Sequence, residues 1–148
     1  MSLEQIKATK GRILGVDFGE ARTGLAVSDA SRFLASAIGN IKGGGLERSA
    51  EAILTALSEH NAVAVVVGLP VNMNGSESPR AERIRQLVAL IREKAPHVPV
   101  ALIDERMTTM VASRFLNETG THGKKRKGVI DPLSAEIILQ DALDRLKR

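Results

Sequence analysis

GVDFGEARTGLAVSD, Gly15–Asp29, places a carboxylate, Asp17, in an apolar run between Val16 and Phe18, with glycine at 15 and 19. With the residues before it, the segment reads as two strands, RILGVDF (12–18) and TGLAVSD (23–29), joined by the turn GEAR. That is a β-hairpin signature. Strand alternation puts Ile13, Gly15 and Asp17 on one face and Leu14, Val16 and Phe18 on the other. A carboxylate inside a strand is costly to bury unless it is paired, hydrogen-bonded or bound to metal. Three roles compete for Asp17: phosphate or metal ligand, cap of the GEAR turn, or half of a nucleotide-binding signature.

Outward from the hairpin, FLASAIGNI (33–41) reads as a third strand, and GGG at 43–45 breaks the chain. Leu46, Ala50, Ile53, Leu54 and Leu57 then mark one face of a helix. AVAVVVG (62–68) is a β-branched run typical of a strand covered on both faces. The polar loop LPVNMNGSESP leads to a helix with Ile84, Leu87, Val88 and Ile91 on one side. VPVALID (98–104) is the next strand, followed by ERMTT and a helix at about 109–119. GTHGKKRKG (120–128) reads as a basic loop, and the last helix starts near Pro132 with Leu133, Ile137, Leu143 and Leu146 inward.

This order predicts an α/β fold, an antiparallel meander followed by parallel βαβ units, with helices on both faces of a mixed sheet. Ligands of such sheets bind beyond the carboxyl ends of the parallel strands. Those ends are Asp17-Phe18-Gly19, Gly68-Leu69-Pro70 and Asp104-Glu105-Arg106.

A chain of 148 residues fits one domain, 1–148, with a flexible N-terminal segment over 1–11. The absence of cysteine excludes disulfides, Cys-ligated zinc and thiol catalysis. MSLEQIKATKGR lacks a signal-type apolar stretch and no run could span a bilayer, so the expectation is a cytoplasmic protein without a membrane partner. A formal charge of +4 favours anionic partners, nucleic acid first. Three Phe with no Trp or Tyr are too few for a base-stacking platform, so phosphates and shape would be read instead. His60, His97 and His122 show no ligand spacing.

Asp104 and Glu105 are adjacent and on a strand would point to opposite faces, so only one can share a cleft with Asp17. The alternative is a solvated strand end paired with Arg106. Asp131 precedes Pro132 in the pattern of an N-cap with proline at the first helical position, a role compatible with facing a cleft. Three or four such acids brought together would take a hard divalent cation, Mg²⁺ or Mn²⁺. Their spacing is no local signature, and capping or ion pairing stays open for each. Lys124, Lys125, Arg126 and Lys127 form a compact basic run that is either solvated or a phosphate-contacting arm. Arg22, Arg80 and Arg106 lie near strand ends, where they meet backbone phosphates or form ion pairs. The loop Pro70–Pro79, long for a βα connection, reads as a substrate-side loop.

Four segments in order, GVDFGEARTGLAVSD, VVVGLPVNMNGSESPRA, DERMTT and VIDPLSAEIILQ, resemble the YqgF/RuvX family of pre-16S rRNA nucleases and Holliday-junction-resolvase-like proteins. The resemblance runs from Arg12 to Leu146. It implies a ribonuclease H-like fold with a five-stranded mixed sheet and a Mg²⁺- or Mn²⁺-dependent nuclease that leaves a 5′-phosphate and a 3′-hydroxyl. It also implies Asp17, Glu105 and Asp131 as metal ligands and catalytic residues. Gly15 and Gly19 would then give clearance to a phosphate backbone. The implied task is processing of the 5′ end of pre-16S rRNA by a monomer or homodimer. Branched-DNA resolution and a non-cleaving role in ribosome assembly or transcription are the alternatives. A sugar-kinase or actin-like ATPase, suggested by DFGEARTG, would need two larger lobes. The chain departs from the pattern at Gly68-Leu69-Pro70, where related resolvases carry an acid, and has Asn74 for a common Asp and Ser134 for a common Ala. Asp104 and Glu136 are candidates for a fourth ligand.

Overall fold

The structure, a computed structural model, describes residues 3–72, 74–104 and 123–147, the side chains of 123–132 excepted. Its elements are α1 (Leu3–Lys7), β1 (Arg12–Asp17), β2 (Arg22–Ser28), β3 (Ala35–Lys42), α2 (Leu46–Glu59), β4 (Ala62–Leu69), α3 (Pro79–Lys94), β5 (Val100–Asp104) and α4 (Gly123–Leu146). The expected helix at about 109–119 lies outside the described residues.

The five strands form one sheet in the order β3-β2-β1-β4-β5. β1 pairs antiparallel with β2 and parallel with β4, and β5 pairs parallel with β4, so the expected mixed sheet is present. Alternation along the strands divides two cores. Leu14, Val16, Phe18, Val65 and Val67 pack with Ile53 and Leu57 of α2 and Ile84, Leu87 and Ile91 of α3. Ile13, Ala64, Val66, Ala101 and Ile103 pack with Ala135, Ile138, Leu139, Ala142 and Leu143 of α4. The unbroken β-branched run of β4 is thus explained by a helix layer on each side.

α4 runs antiparallel to β1. Glu136 accepts from the Ala37 amide at 3.0 Å and, one turn later, Gln140 accepts from the Ala35 amide at 2.9 Å. The helix therefore ascends in number as β3 descends. β3 shares the direction of β1, because each is antiparallel to β2. The amino-terminal part of α4 accordingly leads toward the carboxyl edge of β1.

Several expectations are corrected. Lys124–Lys127 lie in the first turns of α4 rather than in a loop, since straight-chain lysine and arginine are good helix formers. Pro132 is inside that helix, so Asp131 is not its N-cap, and the ring withholds an amide from the carbonyl of residue 128. The inward stripe of α4 is Ala135, Ile138, Leu139, Ala142 and Leu143, whereas Leu133 and Ile137 are half-buried. The small residues at 135 and 142 let the helix approach the sheet beside Ile138, Leu139 and Leu143. Within 1–11, expected to be flexible, Leu3–Lys7 form a short helix that buries Ile6 completely. Arg32 anchors this segment through the carbonyls of Gly11 (2.6 Å) and Ile6 (3.0 Å). β3 begins two residues later than read, because the Asp29 carboxylate accepts from the amides of Phe33 (2.8 Å) and Leu34 (3.0 Å) and closes a turn there. Phe33 and Leu34 are left exposed.

Candidate active site at the carboxyl edge of the sheet

β1, β4 and β5 end at Asp17, Leu69 and Asp104, in register along one edge, with Val16 opposite Val67 and Leu69 opposite Asp104. Asp17 follows Ile13 and Gly15 on the α4 face, and at 9% exposure it is the one buried carboxylate among the described residues. A cationic partner reaches it from the other side of the sheet. Arg80, in the first turn of α3, reaches over the strand end to place Nη2 3.3 Å from Asp17 Oδ1 and 2.9 Å from the Phe18 carbonyl oxygen. Arg80 was expected to meet either a phosphate or an acid, and here it meets the acid while staying half exposed.

The base of α3 is fixed around this contact. Ser78 caps the helix by accepting from the Ala81 amide, and Pro79 occupies its start. Arg83 grips Glu20 of the β1–β2 turn through both carboxylate oxygens, at 2.9 and 3.3 Å. That hydrogen bonding and the charge of Arg83 hold the Glu20 carboxyl below its ordinary value. Sequence inspection missed the Glu20–Arg83 pair; arginines three apart at the head of a helix, facing an acid in a strand turn, were the available signal.

Arg22 opens β2 on the same face as Gly24, which pairs with Asp17, so it shares the edge and the face of the acid. Asp104 does not share that face. Leu102 packs on the α2/α3 side and Ile103 on the α4 side, so alternation carries Asp104 to the side opposite Asp17. Gly68, between Val67 and Leu69 of the α2/α3 core, takes the β4 position on the Asp17 side and offers no carboxylate. Glu136, a candidate fourth ligand, is instead spent on the Ala37 amide at the sheet's edge strand. Glu105 and Arg106 lie outside the described residues. Asp131 and the basic run Lys124, Lys125, Arg126 and Lys127 are placed by their backbone alone, in α4. Among the described residues no cluster of three or more His, Asp or Glu could hold a metal.

The two glycines beside Asp17 have packing duties. A Cβ on Gly15 would meet Leu139 Cβ at 2.7 Å, and one on Gly19 would meet the Arg22 carbonyl oxygen at 2.6 Å. The first admits α4 and the second closes the turn, so packing alone accounts for glycine at both positions. In the loop before α3, Asn72 donates its backbone amide to the Ser76 carbonyl and its Nδ2 to the Ser76 hydroxyl, and Asn74 Oδ1 accepts from the Ser76 amide (3.0 Å) and hydroxyl (2.7 Å). A cleft of about 420 Å³, lined by Leu25, Ile38, Asn40, Glu59 and His60, lies between β3 and α2, away from the Asp17 face. No described helix is long and apolar enough to cross a membrane.

The chain is 37% identical over 136 residues to a protein of Ruminiclostridium cellulolyticum named "Putative pre-16S rRNA nuclease", covering 91% of this chain and 95% of that one. A protein of the same name from Nocardioides sp. is 42% identical over 135 residues, covering 88% and 86%. Among solved structures, RuvC of Thermus thermophilus superposes with a TM-score of 0.56 at 16% identity over 92% of this chain and 96% of that one. The fowlpox virus resolvase in complex with Holliday junction DNA superposes at 0.59 with 12% identity, over 93% and 99%. These likenesses establish the RuvC-type, ribonuclease H-like fold. The profile of the family described as RuvX, Holliday junction resolvase, matches residues 11–145, and the chain belongs to that family.

Proposed function

We propose that this protein is a metal-dependent nuclease that hydrolyses phosphodiester bonds of structured nucleic acid, with the 5′ end of pre-16S rRNA as its substrate. The observation that carries the reading is Asp17, a buried carboxylate at the edge where ribonuclease H-like sheets bind ligands, in a chain whose relatives bear a nuclease name. Burial of a charged group at a strand end is costly, and a cation is its natural compensation.

Asp131 and Glu105 complete the proposed site. Ala135 and Leu139 touch Gly15, and Asp131 continues their i, i+4 row by one turn. Four helix residues rise about 6 Å and two strand residues about 6.6 Å, so Asp17 on β1 falls level with the turn between Asp131 and Ala135 of antiparallel α4. Asp104 faces away, which leaves Glu105 as the acid of the adjacent pair suited to the Asp17 side. The donor set is all carboxylate oxygen and fits Mg²⁺ or Mn²⁺. When bound, such an ion supplies Lewis-acid polarisation of the phosphodiester and a water of lowered pKa. The chain itself contributes orientation and charge. Arg22 and Arg80 sit at the edge to meet phosphates, with Arg106 beside Glu105 in sequence and Lys124, Lys125, Arg126 and Lys127 extending a basic flank.

The decisive experiment incubates wild type and Asp17→Asn with Mn²⁺ and a 5′-extended 16S rRNA precursor, with a four-way DNA junction in parallel. The expected result is cleavage of the precursor by wild type and loss of on the order of 10²-fold or more in the variant, at unchanged circular dichroism. Equal rates for both proteins overturn the site. Preferential cleavage of the junction moves the substrate to branched DNA, and binding of the precursor without cleavage makes the protein an assembly factor.

A further inference from the structure

We propose that Arg80 holds the cation position on Asp17 until a divalent ion arrives, so that the guanidinium and the metal compete for one carboxylate. The inference rests on the reading of Asp17 as a metal ligand and adds what occupies it beforehand. Asp17 has a side chain only 11% exposed, whereas that of Arg80 is 51% exposed. Their contact is asymmetric. Arg80 Nη2 is 2.9 Å from the Phe18 carbonyl oxygen but 3.3 Å from Asp17 Oδ1. A charge-assisted bond at full strength would be about 2.7–2.9 Å. The guanidinium is therefore anchored on the backbone and leans loosely on the acid, so it can release Asp17 without leaving the site.

Only the side chain has to move. The start of α3 is fixed by the Ser78 cap and by the Arg83–Glu20 pair, which tie it to the β1–β2 turn. A metal ion at about 2.0–2.1 Å from an Asp17 oxygen competes with the guanidinium for the charge of the same carboxylate, and the two cations repel. Arg80 freed from the acid keeps its Phe18 anchor and stays half exposed at the carboxyl edge, where an incoming phosphate would meet it. Arg80 is thus a positioning residue for Asp17 in the metal-free protein and a phosphate ligand in the loaded one.

Competition predicts an effect of opposite sign to a structural role. Mn²⁺ is titrated calorimetrically into metal-free wild type, Arg80→Gln, Arg80→Lys and Asp17→Asn, and thermal unfolding of each is followed in EDTA and in Mn²⁺. Arg80→Gln should bind Mn²⁺ roughly 3- to 10-fold more tightly than wild type. It should unfold at lower temperature in EDTA and gain more from Mn²⁺. Wild-type or weaker affinity in Arg80→Gln overturns the inference while leaving Asp17 as ligand. Should the Gln variant not fold, Arg80→Lys, whose ammonium ends one bond short of the Nη2 position that serves both Phe18 and Asp17, is read instead. It must bind at least about twofold more tightly, and equal or weaker binding overturns the inference. Absent Mn²⁺ binding by wild type, or unchanged binding by Asp17→Asn, removes the metal reading itself and the competition with it.

Discussion

Gly15 and Leu139 meet where β1 packs on α4: a Cβ on Gly15 would lie 2.7 Å from Leu139 Cβ and 3.1 Å from the Ala135 carbonyl oxygen. The obstructing atoms belong to backbone and to the root of a side chain, so neither can swing aside. Gly15→Ala should push α4 off the sheet at a cost on the order of 1–3 kcal/mol, lowering Tm by roughly 2–10 °C. Because α4 also carries Asp131, the same variant should bind Mn²⁺ more weakly. Unchanged melting would mean that α4 does not sit on β1 as described.

The adjacent acids after β5 can be separated by mutation. Asp104 takes the α2/α3 side, opposite Asp17, by the alternation of Leu102 and Ile103. Glu105→Gln should then reduce Mn²⁺-dependent cleavage by on the order of 10²-fold or more, whereas Asp104→Asn should stay within about threefold of wild type. Rates measured on one precursor RNA at saturating Mn²⁺ decide between them, and the reverse ranking would exchange their roles.

Much of this architecture was legible because it follows from periodicity. The two-residue alternation of Leu14, Val16 and Phe18 and the β-branched run of β4 point to strands. The short β1–β2 and β2–β3 connections point to an antiparallel meander, whereas the place of β4 beside β1 does not follow from them. α4 was misread because its buried stripe uses Ala135 and Ala142, chosen for close approach, and because Lys124–Lys127 look like a loop by charge alone. The same close approach gives Gly15 a packing role that its place beside an acid does not reveal. Asp17 could be singled out as a buried acid. Its pairing with Arg80 could not, since that contact joins residues 63 apart from opposite sides of the sheet.

Asp29 gives the protein a pH-dependent element far from Asp17. The Leu34 amide, the largest influence, together with that of Phe33, holds its carboxyl below the ordinary 3.8 against the opposing effect of desolvation, which ranks between them. A depressed pKa stabilises the folded state in full above the unfolded value and ceases to do so as pH falls through the folded one. The contribution is therefore present above pH 3.8 and is lost on acidification below it. Asp29→Asn should flatten the decline of Tm in that acidic range and lower Tm at neutral pH. Parallel Tm–pH curves for the two proteins would contradict this.

Glu136 and Gln140 act as caps on an exposed strand. β3 is a terminal strand of the sheet, and an edge with unpaired amides is a template for pairing with another chain. Glu136 takes the Ala37 amide, while Gln140 takes the Ala35 amide and donates to the Phe33 carbonyl at 3.0 Å. Each side chain lost should cost about 0.5–1.5 kcal/mol, more for Gln140 because it leaves both a donor and an acceptor unmet. Glu136→Ala should consequently lower Tm and promote association on heating, yet leave Mn²⁺ affinity as in wild type. Calorimetry and light scattering on the same preparation check both halves. A tenfold loss of Mn²⁺ affinity would instead return Glu136 to the ligand set, whereas retained affinity with a lowered Tm fixes its carboxylate as a strand-edge cap.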